Sequence, residues 1–300
     1  MSATAPTPFD AVIPFHPKDG DVLSYCFMGL RRYTTGLRNI YVISKDDPEE
    51  DNITWIPESS FPFSITDVQA IIQSTNGREG WYFQQLLKLY AFRVIPGILP
   101  HALLFDADCV ICRPISFFRE GKILLDWSEK QGHEAYFIHA RAIMGDLFQQ
   151  PDPEKSGITD HMMVHQPVME GLLQKIESRG FAKTNCIEDY QAWRLFLKAV
   201  DPAQRDFSGM SEYEIYYNYA LTWFWEDYET RQLERGMGTS FRALTEGSAQ
   251  ADIIAFHKWL VNLHETQIGS SKTAEVAWDE RGSAPQEHAA SAGLRDLKGE

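Results

Sequence analysis

Short runs of strand-forming apolar residues alternate with segments of helical length through the first third of the chain. Residues 9–15, 39–44 and 102–105 are the apolar runs, and residues 21–33 and 81–94 have the length and composition of helices. This alternation predicts an α/β fold with a mixed, mostly parallel sheet flanked by helices. An aromatic helix expected after residue 211 makes the C-terminal portion helical.

Polar residues follow directly after each predicted strand, at positions 16–19, 45–47 and 106–108. In open α/β sheets, ligands bind at the carboxyl ends of the strands. We therefore expect one cleft to collect all three polar segments.

The acids Asp106 and Asp108 flank Ala107 at the end of the third strand. Side chains alternate in an extended segment, so the two carboxylates face the same way and Ala107 turns back. Neighbouring carboxylates repel each other unless a positive group lies between them, and Mg²⁺ or Mn²⁺ favours such oxygen ligands. The motif predicts a divalent metal site, with a pair of solvated loop acids as the alternative.

The charge and the chain termini limit the classes of partner. Forty-two acidic against 28 basic residues give a net charge of −14, which argues against nucleic acid as a partner. The N-terminus MSATAPTP lacks the basic and apolar regions of a signal peptide. Because no window approaches the ~20 apolar residues of a membrane span, we expect a cytoplasmic protein without a transmembrane segment.

The ends of the chain differ in composition from its body. Residues 1–8 are predicted to be a disordered lead and residues 269–300 a disordered tail, which leaves residues 9–268 as a single domain. Four cysteines are too few for a disulfide framework. Cys109 and Cys112 lie in an apolar run and are predicted to be buried thiols rather than a zinc or redox site.

The segment HALLFDADCVICRP resembles the strand and D-x-D motif of GT-A glycosyltransferases, in which the acids bind a divalent ion on the diphosphate of the donor. The segments FDAVIPFHPKD, GREGWYFQQLLKLYAF, SGITDHMMVH and SGMSEYEIYYNYAL, in that order, resemble a little-described family of bacterial and large-virus glycosyltransferase-like proteins. The likeness covers about residues 9–260.

This resemblance implies a GT-A (Rossmann-like) fold and a sugar-transfer reaction. The donor would be a nucleoside-diphosphate sugar, with uridine diphosphate ahead of guanosine diphosphate as the carrier. The acceptor would be a hydroxyl group of a glycan, a lipid-linked molecule or another compound. Mn²⁺ or Mg²⁺ would be the cofactor.

The resemblance also assigns donor-binding roles to residues of three segments and to Asp106. These residues are Pro14, His16 and Lys18 beside the nucleotide, Asp46 beside the base or ribose, and Gln84, Gln85 and Lys88 on the helix that includes residues 81–94. Lys88 stands among apolar residues, so its ammonium either meets a definite partner or extends to solvent. Arg78, just before the helix, could reach a phosphate, but a solvated loop residue is the favoured expectation.

Three histidines are candidate metal ligands. His257 ends an apolar run, and the resemblance implies that it is the third metal ligand after Asp106 and Asp108; otherwise it is a packed or capped side chain. The resemblance places Asp160 and His161 near the donor sugar or the acceptor. His161 and His165 are four residues apart, but no Glu follows His161 as in H-E-x-x-H, so zinc is not expected.

The segment that starts at Ser211 contains two candidate catalytic acids. Ser211 and Glu214 have the spacing of a capping box, which gives Glu214 a structural role. Glu212 is not needed for the box, and an acid here acts as general base in inverting GT-A enzymes. The segment SEYEIYYN also resembles an element of retaining transferases, so the stereochemistry stays open and Glu214 stays a second candidate.

Two other classes of protein could carry the same acids. A metal-dependent nucleotidyltransferase or phosphohydrolase often has a Gly-rich basic loop after the first strand, whereas FHPKDGD is poor in glycine. A non-catalytic nucleotide-sugar-binding protein would tolerate the loss of either acid of the motif, yet both are present.

Overall fold

The central sheet has five strands, four of which run parallel. A computed structural model describes residues 5–129, 133–184, 190–238 and 251–257. The strand order is β10-β4-β1-β2-β3, in which β1 (Phe9–Pro14), β2 (Leu37–Ser44), β3 (Thr54–Pro57) and β4 (His101–Phe105) are parallel and β10 (His161–His165) is antiparallel to β4. The expected α/β fold with a mixed, mostly parallel sheet is confirmed.

Helices flank this sheet, and the remaining strands form separate, smaller sheets. The helices are α1 (Gly20–Tyr33), α2 (Ile65–Ile72), α3 (Glu79–Val94), α4 (Glu134–Met144), α5 (Gln166–Thr184), α6 (Ala192–Lys198) and α7 (Glu212–Trp223). The other strands are β5 (Cys109–Ile111), β6 (Phe118–Arg119), β7 (Lys122–Asp126), β8 (Ser128–Glu129), β9 (Lys155–Ser156), β11 (Tyr228–Arg231), β12 (Arg235–Met237) and β13 (Ile253–Ala255). They form the sheets β11-β7-β6, β12-β13-β5 and β8-β9.

Strand β1 is buried along its whole length. This is expected of a strand inside a parallel sheet, whose two faces are both covered, and helix α3 packs against it. Its single acid, Asp10, is neutralised by Arg38, whose Nε lies 2.9 Å from Asp10 Oδ1. The Leu99 N–H also donates to Asp10 Oδ2 at 2.7 Å. The buried charge of Asp10 is therefore paired, and β1 stays inside the core up to its carboxyl end.

Helix α1 lies directly against β5, the strand that follows the acidic motif. A Cβ atom on Gly29 would lie 2.5 Å from the carbonyl oxygen of Ile111, so a glycine is required at this contact. On its other side β5 pairs antiparallel with β13, with Ala255 opposite Cys109. The strand after the motif is thus fixed by a helix and by a strand from far along the chain.

The bounds of the predicted elements are close to the observed ones. Helices predicted at residues 21–33 and 81–94 are observed as α1 and α3, each starting one or two residues earlier. Residues 5–8 form neither helix nor strand. Residues 1–4 and 269–300 lie outside the described residues, so the lead, the tail and the domain bounds stay predictions. In the described part of the chain, no helix has the length and apolar character needed to cross a bilayer.

Candidate active site

A cavity of about 490 Å³ lies at the carboxyl ends of β1 and β4. Its walls come from the loop after β1, helices α3 and α4, the acidic motif, the loop before β10, the start of α7 and the segment that follows β13. The side chains that line it include Lys18, Arg78, Trp81, Gln84, Gln85, Lys88, Asp106, Asp108, Tyr136, Asp160, Glu212, Tyr213 and His257. The cavity collects two of the three polar segments that were expected in one cleft; residues 45–47 do not line it.

Asp106 is held by the ammonium group of Lys88. This ammonium donates to Asp106 Oδ1 and also to Glu212 Oε1, the latter at 2.8 Å, and the Tyr213 hydroxyl donates to Asp106 Oδ1 at 3.2 Å. Lys88 is buried, and its nitrogen lies 4.3 Å from the centre of the Tyr213 ring. Of the two alternatives for Lys88, the structure shows a buried stem with a definite target.

Asp108 lies beside His257, because Asp108 precedes β5 and His257 follows β13, the strand that pairs antiparallel with β5. The Phe256 N–H donates to the carbonyl oxygen of Asp108 at 2.7 Å, and His257 Nδ1 lies 3.0 Å from Asp108 Oδ2. Ala107 is buried but lines the cavity as well, and the Cys109 N–H donates to the carbonyl oxygen of Asp106 at 3.1 Å, so the motif forms a turn. The predicted extended segment with alternating side chains is therefore wrong, although both carboxylates line the cavity. Residues 149 positions apart are therefore adjacent in the cavity.

Asp160 brings a third aspartate into the same cavity. Its φ angle of +60° is in the left-handed region, which aspartate tolerates better than most residues. Its carbonyl oxygen accepts from the Asp106 N–H at 3.1 Å, so the loop before β10 is tied to the acidic motif. Its carboxylate forms an ion pair with Arg235 of β12.

These charged groups form what we call the cavity cluster: the acids Asp106, Asp108, Asp160 and Glu212 with the bases Lys88, Arg235 and His257. Desolvation raises the pKa of Asp106 to about 6; the neighbouring acids reinforce the shift and Lys88 opposes it. Burial alone would lower the pKa of His257, but its hydrogen bond to Asp108 and the surrounding acids raise it to about 9. Burial is thus the main cause of the shift at Asp106, whereas the neighbouring carboxylates are the cause at His257.

The donor atoms of this cluster suit a hard divalent cation. Within the described residues, no group of three or more His, Cys, Asp or Glu side chains has the geometry of a complete metal site. Mg²⁺ and Mn²⁺, however, commonly take one or two protein carboxylates and complete their shell with phosphate and water. Asp106 and Asp108 meet that requirement, and the excess negative charge around them is what such an ion would offset.

Several residues predicted to bind the donor do not line the cavity. Pro14 is buried at the end of β1. His16 caps the short 3-10 helix after β1, where its Nδ1 accepts from the Lys18 N–H at 3.1 Å. Asp46 lies exposed in the turn after β2, where its carbonyl oxygen accepts from the Ser44 hydroxyl at 2.7 Å. Their donor-binding roles stay predictions.

His161 belongs to a separate buried group, which we call the Asp126 cluster: Asp126, His161 and Arg231. His161 Nε2 lies 2.9 Å from Asp126 Oδ2, and its Nδ1 lies 2.7 Å from the carbonyl oxygen of Thr159. Arg231 donates to both oxygens of Asp126, at 2.8 and 3.2 Å. His161 therefore supports the start of β10 from beneath the cavity and does not line it.

Glu214 is also separate from the cavity lining. The Ser211 hydroxyl accepts from the Glu214 N–H at 3.1 Å, which confirms the first half of the capping box. The carboxylate is bound by the Ser156 hydroxyl at 2.5 Å, the Gly157 N–H at 3.2 Å and the Asn218 amide at 2.7 Å. Glu214 thus joins α7 to the loop before β10.

Sequence patterns gave no signal for some of the lining residues. Arg78, expected to be solvated, lines the cavity: its guanidinium lies 4.4 Å from the centre of the Trp81 ring and donates to the Ser208 hydroxyl at 2.8 Å. Tyr136 of α4, which lines the cavity, and Arg235 of β12, which pairs with Asp160, have no sequence signal, because a weakly patterned helix and a three-residue strand carry no motif. Only the tertiary fold brings them to the site.

The model of a family of unknown function, DUF6492, matches residues 9–240. No curated protein matches the sequence. The apo crystal structure of mouse xyloside xylosyltransferase 1 is similar at 10% identity, over 85% of this chain and 99% of that chain, with a TM-score of 0.43. A likeness at that TM-score adds no weight to a functional assignment.

Proposed function

We propose that this chain, which belongs to the DUF6492 family, transfers a sugar from a nucleoside-diphosphate sugar to an acceptor hydroxyl. The observation that supports this best is the pair Asp106 and Asp108 at the end of β4, in a cavity that also contains Lys88 and Glu212. The resemblance of the motif to that of GT-A glycosyltransferases points the same way. Uridine diphosphate is the first carrier to test and guanosine diphosphate the second.

Asp106 and Asp108 would hold Mn²⁺ or Mg²⁺, with His257 as a third ligand once it leaves Asp108. When bound, such an ion supplies Lewis-acid neutralisation of the leaving diphosphate. Lys88, fixed between Asp106 and Glu212, keeps both carboxylates oriented toward the cavity before substrate binds. Preorganised charges of this kind need no rearrangement during the reaction.

Glu212 is the residue of the site best placed to move a proton. Its Oε1 is occupied by Lys88, whereas its Oε2 makes no hydrogen bond to any described residue. In an inverting reaction Oε2 would accept the proton of the acceptor hydroxyl as that oxygen attacks the sugar. Glu214, whose carboxylate is fully engaged, is left with a structural role in this proposal.

The proposal is tested by incubating the protein with Mn²⁺ and UDP-glucose, UDP-galactose, UDP-N-acetylglucosamine or GDP-mannose in the absence of acceptor. Slow release of the nucleoside diphosphate and free sugar is expected, since water replaces the acceptor. Release of a sugar 1-phosphate with the nucleoside monophosphate would instead indicate a phosphohydrolase. Nucleotide-sugar binding without any turnover would indicate a binding protein.

A further inference from the structure

Gln85 carries an unused hydrogen-bond donor at the wall of the cavity. Its side chain is buried and lines the cavity, and its Nε2 has no hydrogen-bond partner among the described residues. Buried amide groups normally have partners, because leaving them unpaired costs free energy. An unpaired donor beside a cavity indicates a group that a ligand completes.

The orientation of this amide is fixed by a backbone group. The Glu212 N–H donates to Gln85 Oε1 at 3.2 Å, and a flipped amide would set its NH₂ against that N–H. The free end of Gln85 is therefore a pure donor. Its ligand atom must be an acceptor, such as a hydroxyl, phosphate or carboxylate oxygen.

The charges around Gln85 decide between these acceptors. The N–H bonded to Gln85 belongs to Glu212, whose carboxylate is therefore close by. The carboxylate of Asp106 is linked to that of Glu212 through the ammonium of Lys88. A further anion would meet these two carboxylates, whose shared cation Lys88 already donates to both, whereas a neutral hydroxyl oxygen meets no such repulsion. A sugar hydroxyl is thus favoured over a carboxylate or phosphate.

The position on α3 favours the donor sugar over the acceptor. Gln85 precedes Lys88 by three residues, so the two lie on one face and about one helical turn apart, ~5 Å. Lys88 contacts Asp106, next to which the diphosphate is proposed to lie. One turn is comparable to the width of the single sugar ring attached to that diphosphate.

We infer that Gln85 is a specificity-determining residue that recognises a neutral donor sugar by donating from Nε2 to one of its hydroxyl oxygens. This inference rests on the proposed function. Because Nε2 is itself buried, a small shift of the cavity wall has to accompany binding. The contact also places the sugar beside Glu212, whose backbone N–H holds the other end of the amide.

The test compares UDP with UDP-glucose, and UDP-galactose as a second probe, by calorimetry in Mn²⁺. Gln85→Leu is expected to weaken binding of the sugar nucleotide about 10-fold and to leave UDP affinity unchanged. Gln150→Leu is the matched control, because Gln150 Nε2 is also buried with no partner in the described part of the chain but does not line the cavity. It should leave both affinities unchanged.

A series of deoxy analogues of UDP-glucose tests the same contact on the wild-type protein, without depending on the folding of a variant. One analogue, lacking the recognised hydroxyl, should bind about 10-fold more weakly and lose nothing further in Gln85→Leu. Equal affinity across the series and in Gln85→Leu would overturn the inference, as would an equal loss of UDP and UDP-glucose, or a change confined to acceptor KM. Failure of the wild-type protein to bind either UDP or GDP would contradict the proposed function itself.

Discussion

Two groups of buried charge lie a short distance apart in this protein and differ in how completely they are neutralised. In the Asp126 cluster one acid meets two basic residues, and each oxygen of Asp126 accepts at least one hydrogen bond. In the cavity cluster four acids meet three basic residues, and Oε2 of Glu212 is open to the cavity. We call the Asp126 cluster closed, because both oxygens of its carboxylate are paired, and the cavity cluster open, because Glu212 Oε2 has no partner among the described residues.

The pKa values of the two aspartates show the same contrast. Burial alone would raise the pKa of Asp126, but the hydrogen bonds and charges of His161 and Arg231 outweigh it and lower that pKa. Desolvation and neighbouring acids raise the pKa of Asp106 to about 6. A neutralised cluster stabilises the fold, whereas an excess of one charge marks a place where a ligand of opposite charge binds.

The largest expected effect comes from removing one acid of the motif. Asp108→Asn should lower turnover by roughly 1,000-fold or more, because it removes a ligand of the ion that neutralises the leaving diphosphate. The melting temperature should change little, since the variant removes one negative charge from a cluster in which acids outnumber bases. Turnover is measured as release of the nucleoside diphosphate.

Asp152→Asn is the matched control for this variant. Asp152 is 38% exposed, pairs with Lys155 at 3.0 Å and lies outside the cavity. It should retain full turnover. An Asp108→Asn protein that is as active as this control would show that the acids of the motif have no part in the reaction.

The reverse pattern is expected in the closed cluster. Asp126→Asn leaves the buried His161 and the partly buried Arg231 without their acid and should lower the free energy of unfolding by about 3 kcal/mol. Denaturant unfolding at neutral pH measures this loss. A stability equal to that of the wild type would remove the distinction between the two clusters.

The same variant has a predicted pH dependence. Because the folded-state pKa of Asp126 lies below its ordinary value of 3.8, its contribution to stability is present above about pH 4. It is lost as the pH falls through the lower, folded-state pKa. The stability difference between wild type and Asp126→Asn should therefore shrink only in strongly acidic solution, and a difference that already vanishes at pH 6 would contradict this.

Two glutamates at the start of α7 allow the same comparison within one helix, because Glu212 lines the cavity and Glu214 is bound by Ser156 and Gly157. Glu212→Gln should reduce turnover roughly 100-fold, because the amide cannot accept a proton, with little change in stability. Glu214→Gln should retain most of its turnover and lose about 2 kcal/mol of stability, because it disturbs buried hydrogen bonds to Ser156 and Gly157. Kinetics and denaturant unfolding on both variants decide the roles, and exchanged results would assign catalysis to Glu214.

The smallest effect is expected at His257. His257→Ala should weaken Mn²⁺-dependent binding of UDP about 10-fold, since one of three protein ligands is lost. The fold should be retained, because β13 contributes its apolar residues and not the imidazole. Unchanged affinity would make His257 a partner of Asp108 only.

The sequence predicts the local parts of the site better than the long-range ones. The apolar run before Asp106 is enough to place the acidic motif at the end of a strand, and the apolar neighbours of Lys88 indicate a buried stem. Sequence spacing cannot show that Asp126 and Arg231 meet His161, because these residues are separated by 35 positions or more. For the same reason the sequence alone leaves Glu214 as a catalytic candidate, since its partner Ser156 lies 58 residues away.

The most direct test of the central claim, that the cavity cluster is a divalent-ion and nucleotide site, is calorimetric titration of the wild-type protein with UDP. One titration contains Mn²⁺ and the other excess chelator. If the excess negative charge is there to receive an ion with its diphosphate, UDP should bind in Mn²⁺ and bind at least about 100-fold more weakly in chelator. Equal affinity in the two titrations would contradict the account.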